Sequence, residues 1–178
     1  NPPETYGMGF ALSDVGDANL TTTMLHAWGG RVADDEGRNC TLDSDETRAF
    51  LEWITAQYEA GLFPPGATTW DGAGDNTAYL SGNAIFIANP GSVYLNMRDN
   101  DPELLEASGF SALPSGPVER IVPVSTVVRS IPSTTSPEKQ ELAMDLFTYL
   151  AEDDFNEEYM NNAIYGPALM SQTEFEIF

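Results

Sequence analysis

The 178-residue chain reads as an α/β fold, a sheet with helices packed on it, on three observations. Short continuous apolar runs, the clearest at residues 84–88 (AIFIA), alternate with longer segments whose apolar residues recur at helical spacing. Helix start and stop signals such as Ser136-Pro137, Asp101-Pro102, Gly61 and Gly82 cut the chain into helices of roughly 8 to 18 residues between those runs. Hydrophobic residues make up 42% with no repeat or low-complexity tract, enough for one core or for part of a larger protein.

Residues 6–12 (YGMGFAL) predict a first strand, with glycines where something packs close. A polar loop then leads into a helix with Asp17 as N-cap; Leu20, Met24, Leu25 and Trp28 form its apolar stripe, which makes Trp28 a core residue. Gly29-Gly30 ends it. Residues 32–42 read as a hairpin turning at Asp35-Glu36-Gly37. The next helix is expected to start on a capping box from Asp43 to Glu46, to bury Phe50, Leu51, Ile54 and Tyr58, and to close at Gly61 before Pro64-Pro65. A short helix from Asp75 or Asn76 to Leu80 precedes the 84–88 run, which reads as a buried strand. Asp101-Pro102 opens another short helix. Residues 110–113 and 122–131 read as strands. Ser136-Pro137 then opens a helix striped by Leu142, Ala143, Leu146, Phe147 and Leu150, and a last helix spans 154–162 before the turn at Tyr165-Gly166-Pro167.

Charge excludes one large class of partner. Asp and Glu number 28 against 7 Lys and Arg, a formal net charge of −21, with the acids spread along the chain as on a solvated surface. No basic patch exists to meet phosphates, so no nucleic acid is expected. The acid excess reads as the surface of a protein from a salt-rich setting, since salt screens such self-repulsion. No apolar run approaches the roughly 20 residues that span a bilayer. The opening Asn1-Pro2-Pro3 reads as the start of a trimmed or excised fragment. Cys40 is the single cysteine, excludes an internal disulfide, and is expected to be a small buried residue rather than a nucleophile.

Catalytic signatures are sparse. His26 is the one histidine, about 200° round its helix from Met24 and expected in solvent. There is no G-x-S-x-G elbow, P-loop or paired-cysteine motif, and Gly7-x-Gly9 lacks the third glycine of a dinucleotide loop, so no cofactor is expected. Asp43-x-Asp45-x-Thr47 imitates a calcium loop, but Arg48 stands at the glycine position and no metal site is expected. A carboxylate pair for glycoside hydrolysis stays open, since the chain offers many candidates.

The richest stretch is 64–94. It sets Trp70 beside Asp71 and ends in a turn of small hydrogen-bonding residues, Asn89, Pro90, Gly91 and Ser92, with Tyr94 close behind. A flat ring and a polar loop at the end of a strand are what a sugar pocket needs, apolar faces for the ring and hydroxyls for the loop. A tryptophan that merely lids a core is the alternative.

Taken in order, these segments resemble the extracellular solute-binding proteins of ABC transporters, in the sugar-binding family that includes maltose-binding protein. The resemblance rests on YGMGFAL with its loop and helix, the Trp28-Gly29-Gly30 turn, the acidic hairpin, GLFPPGATTWD, AYLSGNAIFIANPGS, PVSTVVRSIP, SPEKQELAMDLFTYLAED and NAIYGPAL, and covers nearly the whole chain. It implies a periplasmic-binding-protein-like (type II) lobe, a mixed sheet flanked by helices. Residues 1–178 would be a partial domain, mostly the second lobe, with 123–152 a segment that packs on a first lobe not contained here.

The resemblance also implies a role: extracytoplasmic capture of a sugar or polyol, with the permease of an ABC importer as partner and membrane contact only through that permease or a lipid anchor outside this chain. By position, the turn at 89–92 resembles the family's N-G-P-aromatic turn, although Ser92 stands where the aromatic would be, which passes the stacking role to Tyr94 or Trp70. Asp17 and Asn19 lie in the loop that reaches ligand, Ser125 and Thr126 on a strand facing the cleft, and Tyr165 in a turn bordering the site. Two other readings remain open: a carbohydrate-active enzyme fragment, or a solute-binding protein for a cationic cargo such as a polyamine.

Overall fold

The computed structural model describes residues 5–15, 19–89, 91–123, 128–163 and 169–174. The chain forms two compact units, one from residues 1–89 and 100–123, the other from 90–99 and 124–178.

The first unit is built on two parallel strands, β1 (Tyr6–Met8) and β2 (Ala84–Phe86), with Tyr6 opposite Ala84 and Met8 opposite Phe86. Between them run helices α1 (Asn19–Ala27), α2 (Asp45–Glu59) and α3 (Gly74–Leu80), plus a 3₁₀ turn at Pro65–Thr69. That is a strand–helices–strand crossover, the connection a parallel pair requires. The core is one cluster in which Phe10, Leu20, Leu25, Phe50, Ile54 and Phe63 are all buried. Phe10 and Phe63 meet edge to face at 6.1 Å, and Trp28 packs on Phe50 and Trp53. Trp28 is therefore core, as the stripe predicts. Its partner Trp53 lies outside the predicted stripe.

α2 shows how local sequence fixes a helix and where the reading needs correction. Its N-cap is Ser44, whose Oγ accepts from the Thr47 N–H at 3.2 Å, in place of the expected Asp43–Glu46 box. Asp43 instead pairs with Arg48. Phe50 and Ile54 are buried and Tyr58 is half-buried, but Leu51 is exposed. One residue is 100° of helix, which carries Leu51 off the line joining Phe50 and Ile54. Ala60 caps the end and Gly61 takes φ 76°, a left-handed turn that glycine adopts without a Cβ clash. α3 ends the same way at Gly82, φ 75°.

The sheet departs from expectation. β2 is three residues long, and Ile85 and Phe86 are 57% and 66% exposed where a buried strand was expected. A parallel strand is buried only when layers cover both its faces, and the described residues supply no second layer there. Residues 110–113, 122–123 and 128–131 are irregular, and 124–127 fall outside the described residues, so the two later strands do not appear among those described. The expected hairpin at 32–42 contributes one antiparallel bridge, Ala33 to Cys40. Cys40 is exposed, contrary to expectation, because it closes an exposed turn, residues 35–40, rather than a packed strand. His26 is half-buried, not free in solvent. Asp17 lies outside the described residues.

After β2, α4 (Ser92–Asn100) and α5 (Pro102–Ala107) follow; Asp101 caps α5 by accepting from the Leu104 N–H at 3.0 Å, with Pro102 at its first turn as predicted. The loop at 116–119 docks on the end of α1, where the Ala27 carbonyl accepts from the N–H groups of Val118 and Glu119 and Arg31 pairs with Glu119. In the second unit, α6 (Pro137–Tyr149) and α7 (Asp153–Ala163) occur where the spacing predicts them. α6 buries none of its residues; Leu142 and Leu146 of its stripe are exposed, while Ala143 and Phe147 are half-buried. Tyr149, Phe155 and Tyr159 form a short aromatic row across the α6–α7 corner. No helix among the described residues is long and apolar enough to cross a membrane.

Candidate functional site

Three of the sequence-predicted site residues, Trp70, Asp71 and Asn89, gather around the first turn of α3. Trp70 follows the 3₁₀ turn in an extended conformation, its carbonyl accepting from Ser13 Oγ at 2.7 Å. Its indole is half-buried against the core and lies so close over Gly74 that a Cβ there would sit 2.4 Å from the ring. Glycine at 74 is thus a packing requirement of the ring. Asp71 is exposed, and its Oδ1 accepts from the Ala73 N–H at 3.0 Å, closing a local turn into α3. Asn89, half-buried beyond β2, donates from Nδ2 to Asp75 Oδ2 at 3.2 Å and to Asn76 Oδ1 at 2.6 Å.

The ring and the amide reach α3 at different residues. The indole lines a depression of about 300 Å³ with Tyr6, Asn83 and Thr77. Tyr6 and Asn83 are joined by a backbone bond at the amino end of the strand pair. Asn89 follows the carboxyl end and is not among the residues that line that depression, although ring and amide reach neighbouring residues of the first turn of α3, Gly74 for the ring and Asp75 and Asn76 for the amide.

Asp75 and Asn76 were not singled out from the sequence. Asp75 is 5% exposed, a carboxylate inside the first unit. The signal was present in the polar helix start GDN fourteen residues before Asn89, but sequence alone does not say which polar residue of a helix turns inward.

Of the remaining candidates, Gly91 accepts from the Leu95 N–H at 3.1 Å, exposed Ser92 opens α4, and Tyr94 is half-buried on it. Asn19 is the first residue of α1. Asp17, Ser125, Thr126 and Tyr165 lie outside the described residues. A second depression, about 510 Å³, lies between α1 and α2 with Cys40 at its rim and includes none of the predicted site residues. Among the described residues no group of three or more acidic, histidine or cysteine side chains could hold a metal ion.

Two carboxyls on other elements are shifted by their donors. Asn39 and the Arg38 N–H both donate to Asp34 and hold its carboxyl below the ordinary value. Arg98 does the same for Asp99 through a hydrogen bond of 2.7 Å.

No family model matches the chain, and no curated protein does. Among solved structures, the chain is similar to T. maritima MalE3, solved with maltose bound, at 23% identity and a TM-score of 0.78 over 96% of this chain and 44% of that one. It is also similar to a Synechococcus sp. MITs9220 protein described as a "putative oligosaccharide periplasmic-binding protein", at 16% identity and a TM-score of 0.70 over 94% of this chain and 41% of that one. The chain thus spans less than half the length of either protein. Likeness at these identities establishes architecture, and the architecture agrees with the resemblance read from the sequence: an α/β fold of the periplasmic-binding-protein type.

Proposed function

We propose that this chain is part of a two-lobed extracytoplasmic solute-binding protein, the subunit that captures a neutral sugar or polyol for an ABC importer and hands it to the permease without altering a covalent bond. The observation that carries this reading is the match of nearly the whole chain to a protein solved with maltose bound. Residues 1–178 correspond in this reading to a partial domain, mostly the second lobe, with 123–152 a segment that packs on a first lobe. The uncovered Leu142 and Leu146 of α6 support that division, since a helix stripe without a partner stabilises nothing.

Asn89 and Asp71 are the ligand residues proposed for the first unit. Gly91, Ser92, Tyr94, Asp17, Asn19, Ser125, Thr126 and Tyr165 remain proposed contacts on sequence grounds. The position of the Trp70 ring over Gly74 favours a packing role for it. Trp70→Ala is expected to lower stability by about 1–3 kcal/mol and to leave maltose affinity unchanged. A loss of affinity would return the ring to the site.

A thermal-shift panel of maltose, other neutral sugars, polyols and spermidine tests the reading, because ligand bound only to the folded state raises the melting temperature. A rise with neutral sugars or polyols is expected. A rise with spermidine alone moves the cargo to a cation, and cleavage of an added glycoside moves the protein to the enzymes.

A further inference from the structure

Two stretches of the chain have the Asn-x-Thr order of an N-glycan acceptor, Asn19-Leu20-Thr21 and Asn39-Cys40-Thr41, neither with proline in the middle. The fold treats them differently. Asn19 is the first residue of α1, where Leu20 is buried in the core cluster and the Thr21 hydroxyl donates to the Ala11 carbonyl at 3.4 Å. Presenting that triplet to an enzyme means unwinding the first turn of α1 and drawing Leu20 out of the core. Asn39 lies in the surface hairpin, where every residue from 35 to 40 is exposed. That hairpin turns at Gly37, φ 65°, and is closed by the Ala33–Cys40 bridge, so it opens locally while the core stays packed.

The Asn39 side chain is also placed to take a sugar. Its Nδ2 carries two hydrogens, and one is given to Asp34 Oδ2 at 2.6 Å. A glycosylated amide keeps one hydrogen, so the bond to Asp34 survives the modification. The Thr41 hydroxyl, which completes the acceptor triplet, donates to the Arg31 carbonyl at 3.1 Å. An approaching transferase displaces that bond as the hairpin opens.

We propose that Asn39 is an N-glycosylation site and that Asn19 is not. The proposal rests on the extracytoplasmic reading above, because acceptor triplets of this kind are modified on surface loops of exported chains. The donor is a sugar chain carried on a polyprenyl phosphate or diphosphate. Asn39 Nδ2 forms a bond to the anomeric carbon as the bond from that carbon to the phosphate oxygen breaks. The phosphate leaves with the electron pair, one amide proton passes to a base of the transferase, and nothing is oxidised or reduced. The glycan then stands beside Cys40 and Leu42, two residues of the depression between α1 and α2. Both are exposed, so the sugar sets hydroxyls over a bare thiol and a bare leucine.

The test is the mass of tryptic peptides from the protein isolated from the cells that make it. Arg48 ends the peptide that contains Asn39, and Arg31 ends the one that contains Asn19. The first is expected to be heavier by a whole number of sugar residues and to release sugar fragment ions on collision. The second is expected at its bare mass. Asn39→Gln and Thr41→Ala should each lose the increment completely, whereas Thr41→Ser, which keeps the hydroxyl, should retain it. Asn39→Gln, at an exposed position, decides the matter if Thr41→Ala does not fold. An unmodified Asn39 in protein recovered outside the cytoplasm overturns the proposal and leaves the solute-binding reading standing. Unmodified protein confined to the cytoplasm ends both. An increment that survives Thr41→Ala overturns the acceptor triplet, and a glycan on Asn19 overturns the choice that the fold makes between the two.

Discussion

Helices α2 and α6 look alike as sequences and differ as structures. Each opens on a serine, each is three to four turns long, and each carries an apolar stripe. α2 buries Phe50 and Ile54 in the main core; α6 buries nothing. The difference lies in what surrounds each helix. Periodicity says that a helix has a face to hide, and the rest of the chain decides whether it can hide it. α2 has α1, the Trp28–Trp53 pair and the 3₁₀ turn around it, and Tyr58 reaches forward to donate to the Pro65 carbonyl at 2.8 Å.

Substitution can sharpen or break this contrast. Phe50→Ala should cost about 3–5 kcal/mol, the range for emptying an aromatic site in a core, read as a fall in the urea midpoint. A value below about 1 kcal/mol would mean that α2 is no better anchored than α6. Next in size come the caps. Ser44→Ala removes a bond to the Thr47 N–H and should cost about 1 kcal/mol, whereas Ser136 makes no side-chain cap bond and Ser136→Ala should cost only a few tenths. Equal losses would erase that difference. Leu146→Ala on α6 should fall within about 0.5 kcal/mol of wild type, as at an uncovered surface position. A cost near that of Phe50→Ala would show that a partner covers the helix.

The smallest effect is one of pH. The carboxyls of Asp34 and Asp99 are held below the ordinary value of 3.8 by their donors. Each therefore contributes stability that is fully present above that value and fades as pH falls through the lower folded-state one. Because both groups are exposed, the contribution is small. A carboxyl titration by NMR should place both midpoints below 3.8; a midpoint at or above it removes the pairing in question.

The same contrast explains what was legible in the sequence. Most helix positions were, because capping, glycine stops and a period of 3.6 are local: Asp101-Pro102, Gly61 and Gly82 act where they were read, whereas α4 over Ser92–Asn100, behind the turn at 89–92, was not read at all. The crossover from β1 to β2 followed from the order of those elements. Illegible were the properties that depend on a second layer. Ile85 and Phe86 read as buried from their run of apolar neighbours, and Cys40 from its small size, yet both judgements need a covering element that the described residues do not provide. At the candidate site, residue chemistry singled out Trp70, Asp71 and Asn89, but the link from Asn89 to Asp75 spans fourteen positions and depends on which side of α3 faces inward. The ring–carboxylate neighbourhood in the sequence likewise could not show that the indole turns toward Tyr6 and Asn83.

The bare side chains of Ile85 and Phe86, on a strand paired with β1 alone among the described residues, have a colloidal consequence. Copies of the chain could add to one another there by strand pairing, and what keeps them apart is mutual repulsion from a net charge of −21. That repulsion reaches about 10 Å at 0.1 M salt and about 3 Å at 1 M. Concentrated brine therefore lowers the barrier while leaving those side chains bare, and for the chain on its own light scattering across a salt series is expected to show association setting in as ionic strength rises.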